Sequence, residues 1–347
     1  MSSLLKLWHA KHYPPRDPTD ASFEGKTVLI TGATAGLGFQ ASLKVLRQGA
    51  SMLILGSRDL ERGRSAKHEL ERRTGRTGVV QVWPLDMSSF HSVQEFAARV
   101  YREIPDQRLH IALLNAGVMH REHVLSCDGW EDTLQVNTLS TTLLALLLLP
   151  KLQEGYLSQD PTHLVIVASG TVLRVKEKDF PMSATTGAGG ILQYLTSRTV
   201  GPRARKRYAI SKLLIEYVAR RIAEMTRNPN GRLQVIVNTV KPGFCISSLG
   251  RKYSRWYERL AAGLFTKLFA RSAEAGSRVL VSAAVQGVES HGRTWQGDGY
   301  MSESGTLLTG TAGKRLQSQA WSEIIEVLKE HAPEVSYFNK IHRDEQL

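Results

Sequence analysis

Cysteine is nearly absent: the 347 residues contain two, Cys127 and Cys245. Without metal-ligand spacing between them, they build neither a disulfide framework nor a cysteine-based metal site, and no metal is expected. Two thiols fit a reducing compartment, so the expected location is cytoplasmic. Long apolar runs are missing too. The longest covers 143–149 and meets Pro150, far short of the roughly 20 residues of a membrane-spanning helix. A buried helix is expected there, and no membrane span, although peripheral association stays open. The opening residues turn polar and proline-containing too soon for a secretory signal. Acids are in the minority, 32 against 45 Lys and Arg, which leaves a net charge of +13. Such an excess suits an anionic cofactor, an acidic substrate, nucleic acid or an anionic membrane surface. Spread over this length it reads first as a solvated basic surface, and no nucleic-acid partner is expected. With 42% hydrophobic and 22% charged residues, the chain has the composition of an ordinary globular protein.

The pattern along the chain is that of an α/β protein. Residues 1–22 read as an irregular arm, with Pro14, Pro15 and Pro18 set against regular structure. From Phe23, short apolar runs at 26–30, 51–55, 79–83, 110–114, 163–167 and 233–240 read as strands, with helical stretches between them. Strands that are apolar throughout are buried on both faces, which predicts a Rossmann-type doubly wound parallel sheet. With no repeat and no composition shift, 23–335 is expected to be a single domain, followed by a tail over 336–347. Residues 171–205, rich in Gly, Thr and Arg, read as a long insertion or loop.

The first strand runs into Gly32, Gly36 and Gly38 and then a helix. Glycines there let the backbone turn tightly and approach a pyrophosphate, and a helix N-terminus offers free N–H groups to its charge. The end of the second strand reads Ser57-Arg58-Asp59, with no acid at the strand end itself. An acid there serves the ribose hydroxyl of NAD, whereas an Arg accommodates the extra phosphate of NADP. Ser57 and Arg58 therefore favour NADP(H), with Asp59 read alternatively as a helix cap. Further on, Tyr208 and Lys212 stand four apart, on one face of a helix. A nearby ammonium lowers a phenol's pKa, the property a tyrosine needs to move protons near neutrality.

Residues 31–38, TGATAGLG, resemble the cofactor signature of the short-chain dehydrogenases/reductases, and the similarity continues over about 23–300. Asp86 matches the family's adenine-contacting acid. Asn115, Ala116 and Gly117 match the motif that lines the adenine side. Pro242 and Gly243, with Ser247 four residues past Gly243, resemble the segment that holds the nicotinamide amide. Thr34, Leu37 and Met87 complete the implied cofactor contacts. The resemblance implies that Ser169 binds the substrate oxygen and Tyr208 moves the proton. It implies that Lys212 binds the nicotinamide ribose and tunes Tyr208, and that Asn137 holds a water in the proton relay. The retinol-dehydrogenase-like branch and reductases of fungal secondary metabolism are the most similar groups.

One departure stands out. Ser169 and Tyr208 are 39 positions apart, where many members separate them by about a dozen, so a loop or small subdomain must lie beside the site. It carries Arg174, Lys176, Lys178, Arg198, Arg203, Arg205, Lys206 and Arg207, either a rim for an anionic substrate or a solvated surface. Residues 244–270, aromatic and apolar, read as a lid over a hydrophobic small molecule, as a core helix, or as one resting on a membrane. The function implied is NADPH-dependent reduction of a ketone or aldehyde, or the reverse alcohol oxidation. Alternatives are the same fold repurposed for non-redox cyclisation or isomerisation, and a cofactor-sensing regulator. Family members often pair, so a homodimer is a further expectation.

Overall fold

The computed structural model describes residues 3–104, 108–154, 161–185, 189–227, 231–246, 263 and 265–340. At its centre lie strands that are apolar on both faces. β1 (Thr27–Thr31) is buried at every position, as are β4 (Ile111–Leu114) and β6 (Val235–Lys241). They join β2 (Met52–Ser57), β3 (Val80–Pro84), β5 (Thr162–Val167), β7 (Thr294–Gln296) and β8 (Gly299–Tyr300) in one sheet. Its order is β3-β2-β1-β4-β5-β6-β7-β8. Neighbouring strands are parallel apart from β7 and β8. The winding reverses between β1 and β4, which opens a crevice at the carboxyl ends of these strands.

Helices cover both faces. Apolar residues of Gly36–Arg47 and Ala273–Ala283 pack on one side, among them Ala41, Leu46 and Leu280. Phe90–Glu103, Asp132–Glu154, Ala204–Glu224 and Gly310–His331 pack on the other, through Phe96, Leu144, Leu213 and Leu316. The Asp132–Glu154 helix has the length and hydropathy of a membrane span, yet 89% of its apolar window is buried inside the protein.

The six strands anticipated from sequence are present, within two residues of their expected limits. β7 and β8 were not anticipated. They hold three and two residues, too few for a pattern, and turn back at Gly297, whose φ is +67°.

The N-terminal arm is a correction. Ser3–His12 is a helix rather than irregular chain, because the prolines all follow it and nothing within it breaks the turn. It is tied down: Arg271 Nε donates to the Ala10 carbonyl at 2.5 Å, and Asp17 pairs with Lys44 at 2.8 Å.

The insertion also differs from a loop. It forms 3-10 turns at Gly170–Arg174 and Glu177–Asp179, a helical turn at Met182–Thr185 and a helix at Gly190–Thr196. Ile191, Leu192 and Leu195 are buried in the main core. The Glu323 carboxylate, on Gly310–His331, accepts the N–H groups of Ile191 and Leu192 at 3.0 Å each. Gln319 donates to the Ala184 carbonyl at 2.8 Å. Two of the insertion's cations serve structure: Lys206 pairs with Asp179 at 2.6 Å, and buried Arg207 lies 3.6 Å from buried Glu131. At the other end, order continues through Tyr337–Lys340, and 341–347 lie outside the described residues.

Candidate active site

The crevice is a cleft of ≈ 440 Å³. Its phosphate end is shaped by the turn after β1. Gly32 and Gly36 have φ of +64° and +59°, which glycine adopts without strain. A Cβ on Gly32 would lie 2.9 Å from Ala116 Cα, and one on Gly38 would lie 2.4 Å from the Gly32 carbonyl. In front of Gly36 there is open space. Thr31 explains itself: its fully buried hydroxyl accepts the N–H groups of Asn115 and Ala116, each at 3.0 Å. Asn115 Nδ2 in turn donates to the carbonyls of Thr31 and Gly32 at 3.0 and 3.1 Å. The end of β4 is thereby stapled to the glycine turn.

The helix that follows, Gly36–Arg47, has no side-chain cap at its N-terminus. Helices Leu60–Thr74, Phe90–Glu103 and Ala273–Ala283 are capped by Asp59, Ser89 and Ser272. The uncapped end faces the cleft, so its free N–H groups and positive dipole are available to a pyrophosphate. These features fit a dinucleotide.

Ser57, Arg58, Asp59 and Arg62 line the adjoining wall. The Asp59 carboxylate caps its helix by accepting from Arg62 N at 3.1 Å, as the alternative reading had it. Ser57 donates to the Asp59 carbonyl at 2.7 Å. Arg58 and Arg62 give this wall its positive charge. Asp86, whose carboxylate accepts from Ser88 N at 2.9 Å, and Met87 stand beside them.

Ser169, Tyr208 and Lys212 meet at the opposite end, with Gly117, Pro242 and Gly243. Ser169 caps the Gly170–Arg174 turn and takes a hydrogen bond from the Thr171 hydroxyl at 3.0 Å. Lys212 is buried, its Nζ donating to the Val167 carbonyl at 2.7 Å. Burial lowers its pKa to about 8, with Glu216 pulling the other way. For Tyr208 the expected direction is reversed. Burial raises the phenol above its ordinary value, against a smaller opposite pull from the Ser169 hydroxyl. Desolvation of the phenolate outweighs any benefit from an ammonium that is itself buried and held by Val167.

Asn137 sits behind this wall, in a π-helical turn at Gln135–Leu139. Its Oδ1 accepts from Val118 N at 2.9 Å, and its Nδ2 donates to the Val118 carbonyl at 2.9 Å and to Ser211 Oγ at 3.1 Å. The side chain clamps residue 118 to helix Ala204–Glu224, which carries Tyr208 and Lys212, and does not line the cleft. Gly38 is likewise a packing position. Ser247 lies outside the described residues, as do 247–262 and 264 of the expected lid.

The cleft walls thus gather Gly32, Thr34, Gly36, Leu37, Asp86, Asn115, Ala116 and the three catalytic candidates. Sequence reading missed Arg62, Ser88, Val118 and Cys245 in the walls, and Thr171 beside Ser169. Arg62 was findable, four positions past Arg58 at the start of a helix. Beneath the catalytic helix is a further surprise. Glu216 and Lys241 pair at 2.8 Å, each 1% exposed. The Thr239 and Thr294 hydroxyls donate to Glu216 Oε2 at 2.8 and 3.1 Å.

Comparison with known proteins points the same way. Residues 26–192 match the short chain dehydrogenase family. The short-chain dehydrogenase/reductase ffsI of Aspergillus flavipes is 41% identical over 336 residues, covering 96% of this chain and 94% of its own. The short-chain dehydrogenase/reductase phmF of Phaeosphaeria nodorum is also 41% identical, over 96% of this chain and 95% of its own. Among solved structures, a Pseudomonas aeruginosa RhlG/NADP active-site complex superposes with a TM-score of 0.59 at 21% identity. It covers 79% of this chain and 95% of that one, a likeness of fold.

Proposed function

The chain belongs to the short-chain dehydrogenase/reductase family, and from that premise we propose that it reduces a ketone or aldehyde on an apolar small molecule with NADPH. The observation that carries this reading is one cleft with Arg58 and Arg62 at one end and Ser169, Tyr208 and Lys212 at the other. The uncapped N-terminus of Gly36–Arg47 binds the pyrophosphate. Arg58 and Arg62 bind the additional phosphate, a task suited to planar guanidinium groups, while Asp59 is occupied as a cap. The bound cofactor supplies the hydride. Lys212 binds the nicotinamide ribose. Ser169, steadied by Thr171, donates to the substrate oxygen. As negative charge grows on that oxygen, Tyr208 gives it the phenolic proton. The resemblance to reductases of fungal secondary metabolism favours an intermediate of that kind as substrate, and we place the enzyme in the cytoplasm, where NADPH is kept reduced.

The test is NADPH oxidation with a panel of apolar ketones, comparing wild type with Tyr208→Phe. The variant is expected to lose about 10²- to 10⁴-fold in turnover while binding NADPH as before. Unchanged turnover would sink the mechanism. Product formed without NADPH oxidation would favour the non-redox alternative.

A further inference from the structure

Several of the exposed large apolar side chains lie on three segments that are bonded to one another beside the cleft. Leu4 and Trp8, one turn apart on helix Ser3–His12, are 53% and 45% exposed. Phe265 and Leu268 are 40% and 48% exposed, and Phe244 and Ile246 are 39% and 51% exposed. These pairs lie on segments that are bonded to one another. Arg271 Nε donates to the Ala10 carbonyl, and Lys11 reaches the Lys267 carbonyl. Arg271 N donates to the Phe244 carbonyl at 2.9 Å, and Ile246 N donates to the Arg271 carbonyl at 2.9 Å. The rings of Phe244 and Phe265 are 5.6 Å apart. The patch reaches the cleft, because Gly243 and Cys245 line it.

Its charge is mainly positive, although Asp17 follows the arm and Asp298 accepts the Arg16 N–H at 3.1 Å. Residues 3–16 and 265–271 contain Lys6, Lys11, Arg16, Lys267 and Arg271, together with His9 and His12, and neither Asp nor Glu. Single exposed apolar residues need no explanation, but a joined patch does. Apolar residues bordered mostly by cations suit an interface that is apolar within and anionic at its surface.

We propose that this face docks the protein on an anionic lipid surface. Leu4, Trp8, Phe265 and Leu268 enter the boundary between headgroups and acyl chains, and Lys6 and Lys267 meet the headgroup charges. The cleft mouth beside Phe244 and Ile246 then opens next to the bilayer, where an apolar substrate dissolves. Docking itself does not rest on the reductase reading; vesicle binding can succeed where turnover fails, and the reverse.

The test is co-sedimentation of the full chain with vesicles of phosphatidylcholine alone, and of phosphatidylcholine with a minority of phosphatidylserine. Wild type is expected to pellet with the anionic vesicles, less so at high salt. Leu4→Glu/Trp8→Glu/Phe265→Glu should lose about ten-fold or more in partition, and Lys6→Glu/Lys267→Glu should bind more weakly at low salt. Unchanged melting temperatures establish that the variants fold. Wild type left in the supernatant, or equal pelleting of the triple variant, would overturn the proposal. So would light scattering that shows a dimer broken by the triple variant without any vesicle binding, since a second copy would then own the face.

Discussion

The two ends of the cleft are built by different means. At the phosphate end, the backbone does the work: a positive-φ glycine turn, an uncapped helix, and Thr31 and Asn115 bonding main-chain groups. At the reacting end, side chains from remote segments do it. The Glu216–Lys241 pair joins the catalytic helix to β6, and Glu323 fastens the insertion that follows Ser169. The difference teaches where sensitivity lies. The first end is vulnerable to a changed backbone, the second to a lost partner.

The largest stability effect should come from breaking the deepest pairing. Lys241→Met leaves Glu216 buried without its cation and should cost about 3–5 kcal/mol in urea unfolding. Adding Glu216→Leu should restore much of that loss. If Lys241→Met is neutral, the pair is not what holds the catalytic helix to β6.

Lys212 gives the next effect. Its ordinary value of 10.5 falls to about 8 in the fold. Between those values the unfolded chain keeps a proton that the folded chain has released, so stability rises with pH across that window. The penalty is fully present below about 8. Lys212→Met should therefore gain on wild type near neutrality, and that gain should shrink by up to about 3 kcal/mol as pH approaches 10.5. A gap that stays constant with pH would show that Lys212 is not desolvated.

At the phosphate end, Arg58→Ala/Arg62→Ala should weaken NADPH binding about 10- to 100-fold with little change in melting temperature. A large loss of stability would erase the contrast between the two ends. The smallest effect should be that of Glu323→Ala, about 1 kcal/mol from losing the cap on Gly190–Thr196. Faster proteolysis within the insertion, with NADPH affinity unchanged, would locate that loss.

The same contrast explains what was legible in the sequence. The glycine turn, Asn115 and the six longer strands could be read because a backbone conformation or a buried strand demands particular residue types close together in the chain. Nothing near Gly190 announces that a carboxylate 133 positions later will hold its helix. Nor does Lys241 reveal a partner 25 positions earlier on a helix. The direction of the Tyr208 shift is hard to read for a related reason. Spacing places the ammonium nearby, but the sign depends on burial, and burial is a property of the assembled fold.

The most direct test of the proposed preference for a phosphorylated dinucleotide is a fluorescence titration of wild type with NADPH and with NADH under the same conditions. The expected result is NADPH binding at least about ten-fold tighter, the equivalent of one charge-assisted hydrogen bond, with the preference removed in Arg58→Ala/Arg62→Ala. Equal affinity for the two cofactors in wild type would contradict it.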